Sequence, residues 1–281
     1  LYAACAAALR RYGDTMSEEK IIINEKVGTD LKKSDFYYDL PEELIAQTPA
    51  ERRDMSRLMT VDRRTGEIGH GIFHDIVDML EPNDVLVINN SKVIPARLHG
   101  IKEGTGARME LLLLRDLGDD CWEVLVHPGR RAKTGSVISF GDGLLRAHVL
   151  RTVEDGNRIV RLEYGREGGE NIFSVLDRIG EMPLPPYITS RASDPGRYQT
   201  VYADREGSAA APTAGLHFTE ELLDRIREKG VRIAPVLLHV GLGTFRPVKE
   251  DAISDHIMHT EHFEISPESA EIINSCKGRV V

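Results

Sequence analysis

Apolar and polar positions repeat with two different periods along the chain, and these periods predict its elements. Residues 85–88 and 231–240 are mostly apolar runs of the kind that forms strands buried on both faces of a sheet. Shorter helices are predicted near Pro41 and over residues 72–80. Strands that alternate with helices are typical of an α/β domain. Residues 220–229 have apolar side chains at helical spacing, namely Leu222, Leu223 and Ile226.

Between residues 97 and 166 the pattern changes to short, closely spaced strands. Sequences rich in glycine, aspartate and asparagine separate them, as in hairpin turns. Because no helical pattern interrupts the series, we predict a small antiparallel β-barrel. The predicted strands are residues 96–101, 109–114, 122–126, 137–140, 144–150 and 158–164.

The two patterns predict how the chain is divided into domains. We expect residues 34–96 and 167–281 to form one three-layer α/β domain. The β-barrel of residues 97–166 is inserted into that domain. Residues 1–33 are expected to be a disordered N-terminal extension. Their apolar patch is short for a secretory signal and no basic segment precedes it, so a signal peptide is not predicted.

A histidine lies in a tight turn immediately before the predicted helix at 220–229. The turn reads Pro-Thr-Ala-Gly-Leu-His-Phe-Thr at 212–219, and Thr219 is a good N-cap residue. Histidine transfers protons near neutral pH, and the free N–H groups of a helix start attract anionic groups. We therefore predict that His217 and Glu220 are catalytic, although a purely structural histidine is an alternative. The predicted substrate-binding residues of this turn are Thr213, Gly215 and Phe218.

Polar residues also follow the apolar runs at 85–88 and 231–240. Ligands of open α/β sheets bind off the carboxyl ends of strands, and the second run leads into Gly-Leu-Gly-Thr-Phe-Arg at 241–246. His239 near the end of this run is a catalytic candidate, but a buried and hydrogen-bonded role explains it equally well. The asparagines suit ligand contact or a turn, and the arginines suit an anionic group or an ion pair. The predicted substrate-binding residues here are Asn89, Asn90, Arg97, Gly241, Gly243, Thr244 and Arg246.

Positive charge is concentrated in the predicted barrel. The whole chain has a formal net charge of −9, but residues 97–166 contain 12 Lys and Arg against 10 Asp and Glu, a balance of +2. Arg130, Arg131 and Lys133 lie together in one predicted loop. On charge alone, an RNA-backbone interface and a solvated surface explain these three residues equally well.

Composition argues against a metal site and a membrane protein. The three cysteines are far apart in the sequence, as at Cys121 and Cys276, so we expect neither a disulfide framework nor a cysteine metal site. His256, His259 and His262 lack a cysteine or carboxylate at a zinc-ligand spacing. No apolar stretch approaches the roughly 20 residues that span a bilayer. We expect no metal, no membrane contact and a cytoplasmic location.

Several long runs of the chain resemble the S-adenosylmethionine:tRNA ribosyltransferase-isomerase family of queuosine biosynthesis. The similarity covers residues 34–281 in one order and implies a three-layer α/β domain interrupted by a β-barrel. Besides 212–219 and 241–247, it includes Val-Ile-Asn-Asn-Ser-Lys-Val-Ile-Pro-Ala-Arg at 87–97. The other similar runs are residues 39–49, 54–58, 180–188, 198–202 and 207–211.

The resemblance implies a transferase that consumes S-adenosylmethionine as a substrate and needs no resident cofactor. The enzyme would transfer and isomerise the ribosyl group onto 7-aminomethyl-7-deazaguanine at the wobble position of a tRNA. The products would be epoxyqueuosine-tRNA, adenine and methionine. The resemblance also favours an RNA-backbone interface at Arg130, Arg131 and Lys133. We expect the protein to act as a monomer.

Two alternatives to an active enzyme remain. The family continues beyond the position of Val281, so the α/β domain is expected to be truncated at its C-terminus and the chain could be an inactive fragment. The second alternative is a non-catalytic RNA-binding protein that uses the barrel as a platform. That function leaves the histidine turn and the glycine-rich loop unexplained. Binding of S-adenosylmethionine without RNA separates it from the enzyme.

Overall fold

A computed structural model describes residues 31–153, 156–165, 169–189, 194–241, 243, 248–258 and 260–281. Most of the predicted N-terminal extension lies outside the described residues. Its last residues are described, and Lys32 forms an antiparallel bridge with Ala252. Thr244, Arg246 and His259 also lie outside the described residues, so their predicted roles stay predictions.

The first part of the α/β domain is an antiparallel hairpin followed by a buried strand. The hairpin consists of β1 (Arg57–Val61) and β2 (Ile68–Ile72). The helix predicted over 72–80 is reduced to α1 (Ile76–Met79), because Ile72 still belongs to β2 and a 3-10 turn follows it. The helix predicted near Pro41 is only a 3-10 turn, Glu42–Leu44. The chain then forms β3 (Val85–Asn89) and β4 (Ser91–Val93).

Six strands form the predicted antiparallel barrel. The barrel is closed, because each strand is hydrogen-bonded to two neighbours. Counted in chain order, the sixth strand is followed around the barrel by the third, second, first, fourth and fifth. Inward-facing residues such as Leu98, Leu111 and Val124 are fully buried. The strands are β5 (Arg97–Lys102), β6 (Ala107–Asp116), β7 (Cys121–His127), β8 (Val137–Phe140), β9 (Leu145–Thr152) and β10 (Arg158–Tyr164).

The hydrophobic core of the barrel extends beyond the barrel strands. Val175 and Leu176 of α2 (Ile172–Ile179) belong to the same buried cluster as the inward-facing barrel residues, and so does Ala209. Arg97 and Glu181 also exchange backbone hydrogen bonds of 3.1 and 2.8 Å. The segment after the barrel therefore packs against it and is not separate from it.

The remaining elements complete a three-layer arrangement around a mostly parallel sheet. In this sheet the strand at residues 232–239 lies between β3 and the strand at residues 262–264. Val280 forms a parallel bridge with Val85 on the far side of β3. The helix at 220–228 and the helix at 267–274 pack on opposite faces of this sheet. The predicted fold class is therefore confirmed. The elements are β11 (Arg205–Ser208), which pairs with β4, α3 (Glu220–Glu228), β12 (Arg232–His239), β13 (His262–Glu264) and α4 (Pro267–Asn274).

Helix α3 begins and ends as its sequence predicts. The Thr219 hydroxyl accepts a hydrogen bond of 3.1 Å from the Leu222 N–H, which is the N-cap interaction. Gly230 follows the helix with a φ of 87°, a left-handed conformation that glycine adopts without strain. Leu222, Leu223 and Ile226 are buried and turn one face of α3 toward the sheet.

A buried carboxylate anchors the start of β3. Asp84 is 1% exposed and accepts the Arg279 guanidinium through Nη2 at 2.6 Å and the Arg279 backbone N–H at 2.7 Å. The Glu81 N–H also donates to it at 2.9 Å. These hydrogen bonds, chiefly from the Arg279 side chain, hold the pKa of Asp84 well below its usual range despite desolvation. Asp84 thus ties the end of the chain to the central sheet.

We predict that Asp84→Asn lowers the free energy of unfolding by about 2–4 kcal/mol at pH 7, because it removes the charge of a buried carboxylate that accepts several hydrogen bonds. The lowered pKa makes this stabilisation complete above about pH 4, and it is lost as the pH falls toward the folded-state pKa. Urea unfolding between pH 3 and pH 8 measures both effects. Asp78→Asn on exposed α1 is the matched control. Equal stability of the Asp84 variant and the control would contradict this role.

Candidate active site

The carboxyl ends of β3 and β12 lie side by side, and Asn89 joins them. The Asn89 Nδ2 donates to the Leu238 carbonyl at 2.8 Å, and its Oδ1 accepts the Leu238 N–H at 3.0 Å. The same oxygen accepts the Ser91 N–H at 3.1 Å. The amide therefore continues the ladder of hydrogen bonds where the two strands end. Its hydrogen bonds are made within the protein, and its contact with a substrate stays a prediction.

Asn90 offers an unused acceptor at the same edge of the sheet. Its backbone is fixed, since its N–H donates to Val236 at 3.0 Å and its carbonyl accepts the Asp204 N–H at 2.9 Å. Its side-chain Oδ1 is buried and has no hydrogen-bond partner within the described residues. Asn90 lines a cavity of about 590 Å³ with Tyr202 and Pro235. Because a buried unpaired acceptor is unfavourable, this oxygen is suited to a donor group of a ligand.

His239 ends β12 with its ring against a glycine backbone. A Cβ at Gly207 would lie 2.7 Å from the His239 Nε2, and Gly207 has a φ of 136°, so a larger residue does not fit there. His239 pairs with His262 across β12 and β13, and the two rings stack with centroids 5.8 Å apart. The His239 Nδ1 is buried without a partner in the described chain. Within the described residues, Nδ1 thus has no hydrogen bond that would support the structural alternative, and the catalytic role of His239 stays a prediction.

Burial and neighbouring charges lower the pKa of His239 and so favour its neutral form. Desolvation lowers its pKa most, and the charges of His262 and Arg205 lower it further. Glu264 opposes them, but it lies in ion pairs with His262 at 3.0 Å and Arg205 at 3.3 Å. A neutral imidazole can accept a hydrogen bond or a proton from a bound ligand.

A run of small residues fixes the backbone beyond β12. The Ser208 Oγ donates to the Ala210 carbonyl at 2.7 Å and accepts the Val240 N–H at 2.9 Å. Glu261 accepts the Gly241 N–H at 2.8 Å, which positions the start of the glycine-rich loop. Gly243 is half-buried in this loop. Ser208 thus holds together two backbone segments beside the site, at Ala210 and at Val240.

The predicted histidine turn is a 3-10 helix, Thr213–His217. Gly215 is buried in it, and a Cβ there would collide with the Tyr202 hydroxyl. Burial raises the pKa of Tyr202 to about 12, so this hydroxyl stays protonated. Thr213 is exposed at the start of the turn. Because Tyr202 contacts the turn and also lines the cavity beside Asn90, it connects the two parts of the site.

His217 is held by residues that sequence reasoning did not single out. Its Nδ1 lies 3.0 Å from the Ser56 Oγ, and its ring centroid lies 5.1 Å from that of Phe73. The Arg53 Nη1 donates to the Leu216 carbonyl at 3.0 Å, next to the histidine. The similarity of residues 54–58 and 198–202 to a known family was the available signal for Ser56 and Tyr202. It did not show which side chains they contact.

The other predicted site residues have different surroundings. Phe218 is buried in the core, edge-on to Phe73 with centroids 4.9 Å apart. Glu220 is exposed in the first turn of α3. The Arg97 guanidinium lies 3.4 Å from Glu110 on the barrel. It thus forms an ion pair, which was the predicted alternative to ligand binding. Within the described chain, no hydrogen bond joins His217 to His239 or to Glu220. Substrate contact by these residues stays a prediction.

The basic loop of the barrel is held by its backbone, which leaves its side chains exposed. The Arg158 Nε and Nη2 donate to the Ala132 and Gly129 carbonyls, each at 2.8 Å. In the part of the chain that the structure describes, no ion pair is formed by the three predicted RNA-binding residues. They are Arg130, Arg131 and Lys133, all exposed.

The described residues contain no group of three His, Cys, Asp or Glu side chains that could hold a metal ion. His256 lies 3.1 Å from Glu250 and His262 lies 3.0 Å from Glu264, so these two histidines pair with carboxylates. None of the described helices is both long enough and apolar enough to cross a membrane.

We predict that His239 titrates below the usual histidine pKa of about 6.5. The folded state binds this proton more weakly than the unfolded state. The free energy of unfolding is therefore highest above the usual histidine pKa and decreases as the pH falls below it. Histidine NMR titration measures the pKa directly. Arg205→Gln should raise the pKa of His239, and Glu264→Gln should lower it. A wild-type pKa at or above 6.5 would disprove the desolvated state.

Comparisons with known proteins agree with the resemblance noted above. The profile of a family described as a queuosine biosynthesis protein matches residues 33–281. An S-adenosylmethionine:tRNA ribosyltransferase-isomerase of Desulfitobacterium hafniense is 54% identical, over 89% of this chain and 72% of the relative. One from Acetivibrio thermocellus is 56% identical, over 89% of this chain and 73% of the relative.

A crystal structure of S-adenosylmethionine tRNA ribosyltransferase from Thermotoga maritima is 34% identical, covers 86% of this chain and 65% of that chain, and superposes with a TM-score of 0.36. The chain thus spans about two thirds to three quarters of the length of these relatives. The prediction of an enzyme family is confirmed by the two curated relatives. The chain belongs to the S-adenosylmethionine:tRNA ribosyltransferase-isomerase family of queuosine biosynthesis.

Proposed function

We propose that this chain transfers and isomerises the ribosyl group of S-adenosylmethionine onto 7-aminomethyl-7-deazaguanine at the wobble position of a tRNA. The products are epoxyqueuosine-tRNA, adenine and methionine. The observation that carries the proposal is the identity of 54–56% over 89% of the chain to relatives of that name. The polar groups at the carboxyl ends of β3 and β12 support it, because ligands of α/β sheets bind there.

The chemistry of the substrate explains why histidines suit this site. The positive sulfonium makes the neighbouring C5′–H acidic, so a positioned base removes that proton. The amine of the modified base attacks the anomeric carbon, and adenine leaves with the electrons of the broken glycosidic bond. C5′ forms two new bonds within the isomerised ribosyl group, one in place of the removed hydrogen and one in place of sulfur, and methionine leaves with the electrons of the broken C5′–S bond. Each assisted proton transfer contributes about 10²–10⁴-fold to the rate.

The proposed roles follow from the surroundings of each residue. His217 is the acid–base residue, with Glu220 or the neutral His239 as the second. Asn90 accepts a hydrogen bond from the nucleoside, because its Oδ1 is buried and unpaired in the described chain. Gly241 and Gly243 allow the backbone to approach the ligand, and Gly215 allows Tyr202 to pack against the histidine turn. Thr213, Thr244 and Arg246 complete the pocket, and Arg246 binds the methionine carboxylate.

We also propose which small molecules the protein needs, how it is assembled and where it acts. S-adenosylmethionine is consumed as a substrate, so no resident cofactor is needed, because the sulfonium supplies the electrophilic activation. We propose a cytoplasmic monomer without membrane contact. The exposed basic loop of the barrel binds the tRNA backbone, since phosphate contacts supply most of the sequence-independent affinity for nucleic acids.

Product release tests the proposal. The purified protein is mixed with S-adenosylmethionine and a tRNA that carries 7-aminomethyl-7-deazaguanine. We expect adenine and methionine in equal amounts, and only when that tRNA is present. Binding of both substrates without release identifies an inactive fragment of the enzyme. Binding of tRNA without S-adenosylmethionine identifies a non-catalytic RNA-binding protein.

We predict that His217→Ala lowers single-turnover adenine release by about 10²–10⁴-fold, because an acid–base residue acts mainly in the transition state. Calorimetry on the same sample should show nearly unchanged affinity for S-adenosylmethionine. His70→Ala, an exposed histidine of β2, is the matched control. If turnover survives within about threefold, well short of the loss of a general base, His217 is structural.

We predict that replacing Arg130, Arg131 and Lys133 by Ala weakens tRNA binding without changing affinity for S-adenosylmethionine. Each lost phosphate contact should reduce the slope of log affinity against log salt by about 0.7–0.9. The control is Arg115→Ala with Arg146→Ala, which removes barrel charges already paired with Glu123, Glu103 and Glu163. An unchanged salt titration excludes the basic loop from the RNA interface.

A further inference from the structure

We infer that Ser56 is a positioning residue that keeps the proton of neutral His217 on Nδ1 and leaves Nε2 free to accept one. The inference deepens the proposed function, because it assigns the reactive nitrogen of the proposed acid–base residue. The tautomer itself is a property of the protein alone. It can therefore be measured without substrate.

The hydrogen bonds of the Ser56 hydroxyl determine the tautomer. A serine hydroxyl has one proton to donate and lone pairs with which to accept. The Ser56 Oγ lies 3.3 Å from the Arg53 carbonyl oxygen and 3.0 Å from the His217 Nδ1. The carbonyl oxygen can only accept, whereas the histidine Nδ1 can donate or accept, depending on the tautomer. Both contacts are hydrogen bonds only when the hydroxyl donates to Arg53 and accepts from a protonated Nδ1.

The ring of His217 is held in this orientation from two sides. Phe73 packs against the ring, and the Phe73 N–H donates to the Ser56 carbonyl at 2.8 Å. The Arg53 guanidinium holds the neighbouring Leu216 carbonyl at 3.0 Å and the Gly196 carbonyl at 3.0 Å. The segment that carries Ser56 thus also fixes the backbone beside the histidine, and Phe73 covers one face of its ring. A ring flip would place a carbon atom against the Ser56 hydroxyl and lose the hydrogen bond.

This arrangement suits His217 to accept a proton through Nε2. No described residue forms a hydrogen bond with Nε2. When Nε2 takes up a proton, the Nδ1–H bond to Ser56 is retained, and a hydrogen bond from a charged donor is stronger than one from a neutral donor. Ser56 therefore orients the neutral base and also stabilises the imidazolium that forms from it.

Nitrogen NMR of the histidine side chains tests the tautomer. The His217 signals are assigned by their loss in His217→Gln. Spectra are recorded at a pH high enough for the imidazole ring to be neutral. We expect Nδ1–H in the wild type and in Ser56→Thr, which keeps a hydroxyl. Ser56→Ala should shift the population toward Nε2–H. A wild-type ring protonated on Nε2, or an unchanged tautomer in Ser56→Ala, would overturn the inference.

Kinetics on the same variants test the consequence for the reaction. Ser56→Ala should lower kcat for adenine release by about tenfold, the effect of one lost hydrogen bond, with little change in KM. Ser56→Thr should restore most of the rate. Equal rates in wild type and Ser56→Ala, with matched thermal unfolding, would contradict a positioning role. Full turnover in His217→Ala would refute the proposed role of His217 and leave the tautomer measurement standing.

Discussion

The parallel pairing of β3 with β12 is the constraint on which the rest of the structure depends. The register runs from Val85 opposite Arg232 to Asn89 opposite Val236, and the whole barrel lies between the two strands in the sequence. Parallel strands have evenly spaced, slanted hydrogen bonds and always need a long connection. Side chains reinforce both ends of the pair. Asp84 anchors the start through Arg279, and the Asn89 amide extends the ladder past the end.

This pairing brings together residues that the chain separates widely. The carboxyl ends of the two strands place Asn90 and His239 at one edge of the sheet. Gly207 permits close contact with the histidine because it has no side chain. Tyr202 links the turn that carries His217 to this region, because it contacts Gly215 of the turn and lines the cavity beside Asn90.

The two histidines have different physical surroundings. His239 is desolvated beside positive charge, and its Nδ1 has no partner in the described chain, so its neutral form is favoured. His217 is hydrogen-bonded to Ser56 and packs on Phe73, so its orientation is restricted. A neutral acceptor and an oriented base are the groups that a reaction with several proton transfers requires.

Local sequence rules predicted much of the fold. Glycine-rich turns separate the short barrel strands, and α3 carries its own N-cap at Thr219 and a glycine at position 230. These features depend on neighbouring residues. The helix predicted over 72–80 shortened because the Asp75 side chain accepts the Ile72 N–H and supports a 3-10 turn after β2.

The missing predictions all concern contacts between distant segments. No periodicity indicates that α2 packs against the barrel, because its apolar stripe would suit either domain. The Ser56–His217 contact joins residues 161 positions apart, and the sequence around either residue does not predict this contact. Candidate residue types could therefore be selected from the sequence, whereas the residues that orient them required the fold.

The fate of the ribose carbons tests the central claim most directly. S-adenosylmethionine labelled either in its ribose or in its methyl group is incubated with the protein and tRNA that carries 7-aminomethyl-7-deazaguanine. The tRNA is then digested and its nucleosides are analysed by mass spectrometry. A ribosyltransferase-isomerase puts the ribose label, and none of the methyl label, into the modified nucleoside. Methyl label in the tRNA, or no ribose label when both substrates are bound, would contradict the account.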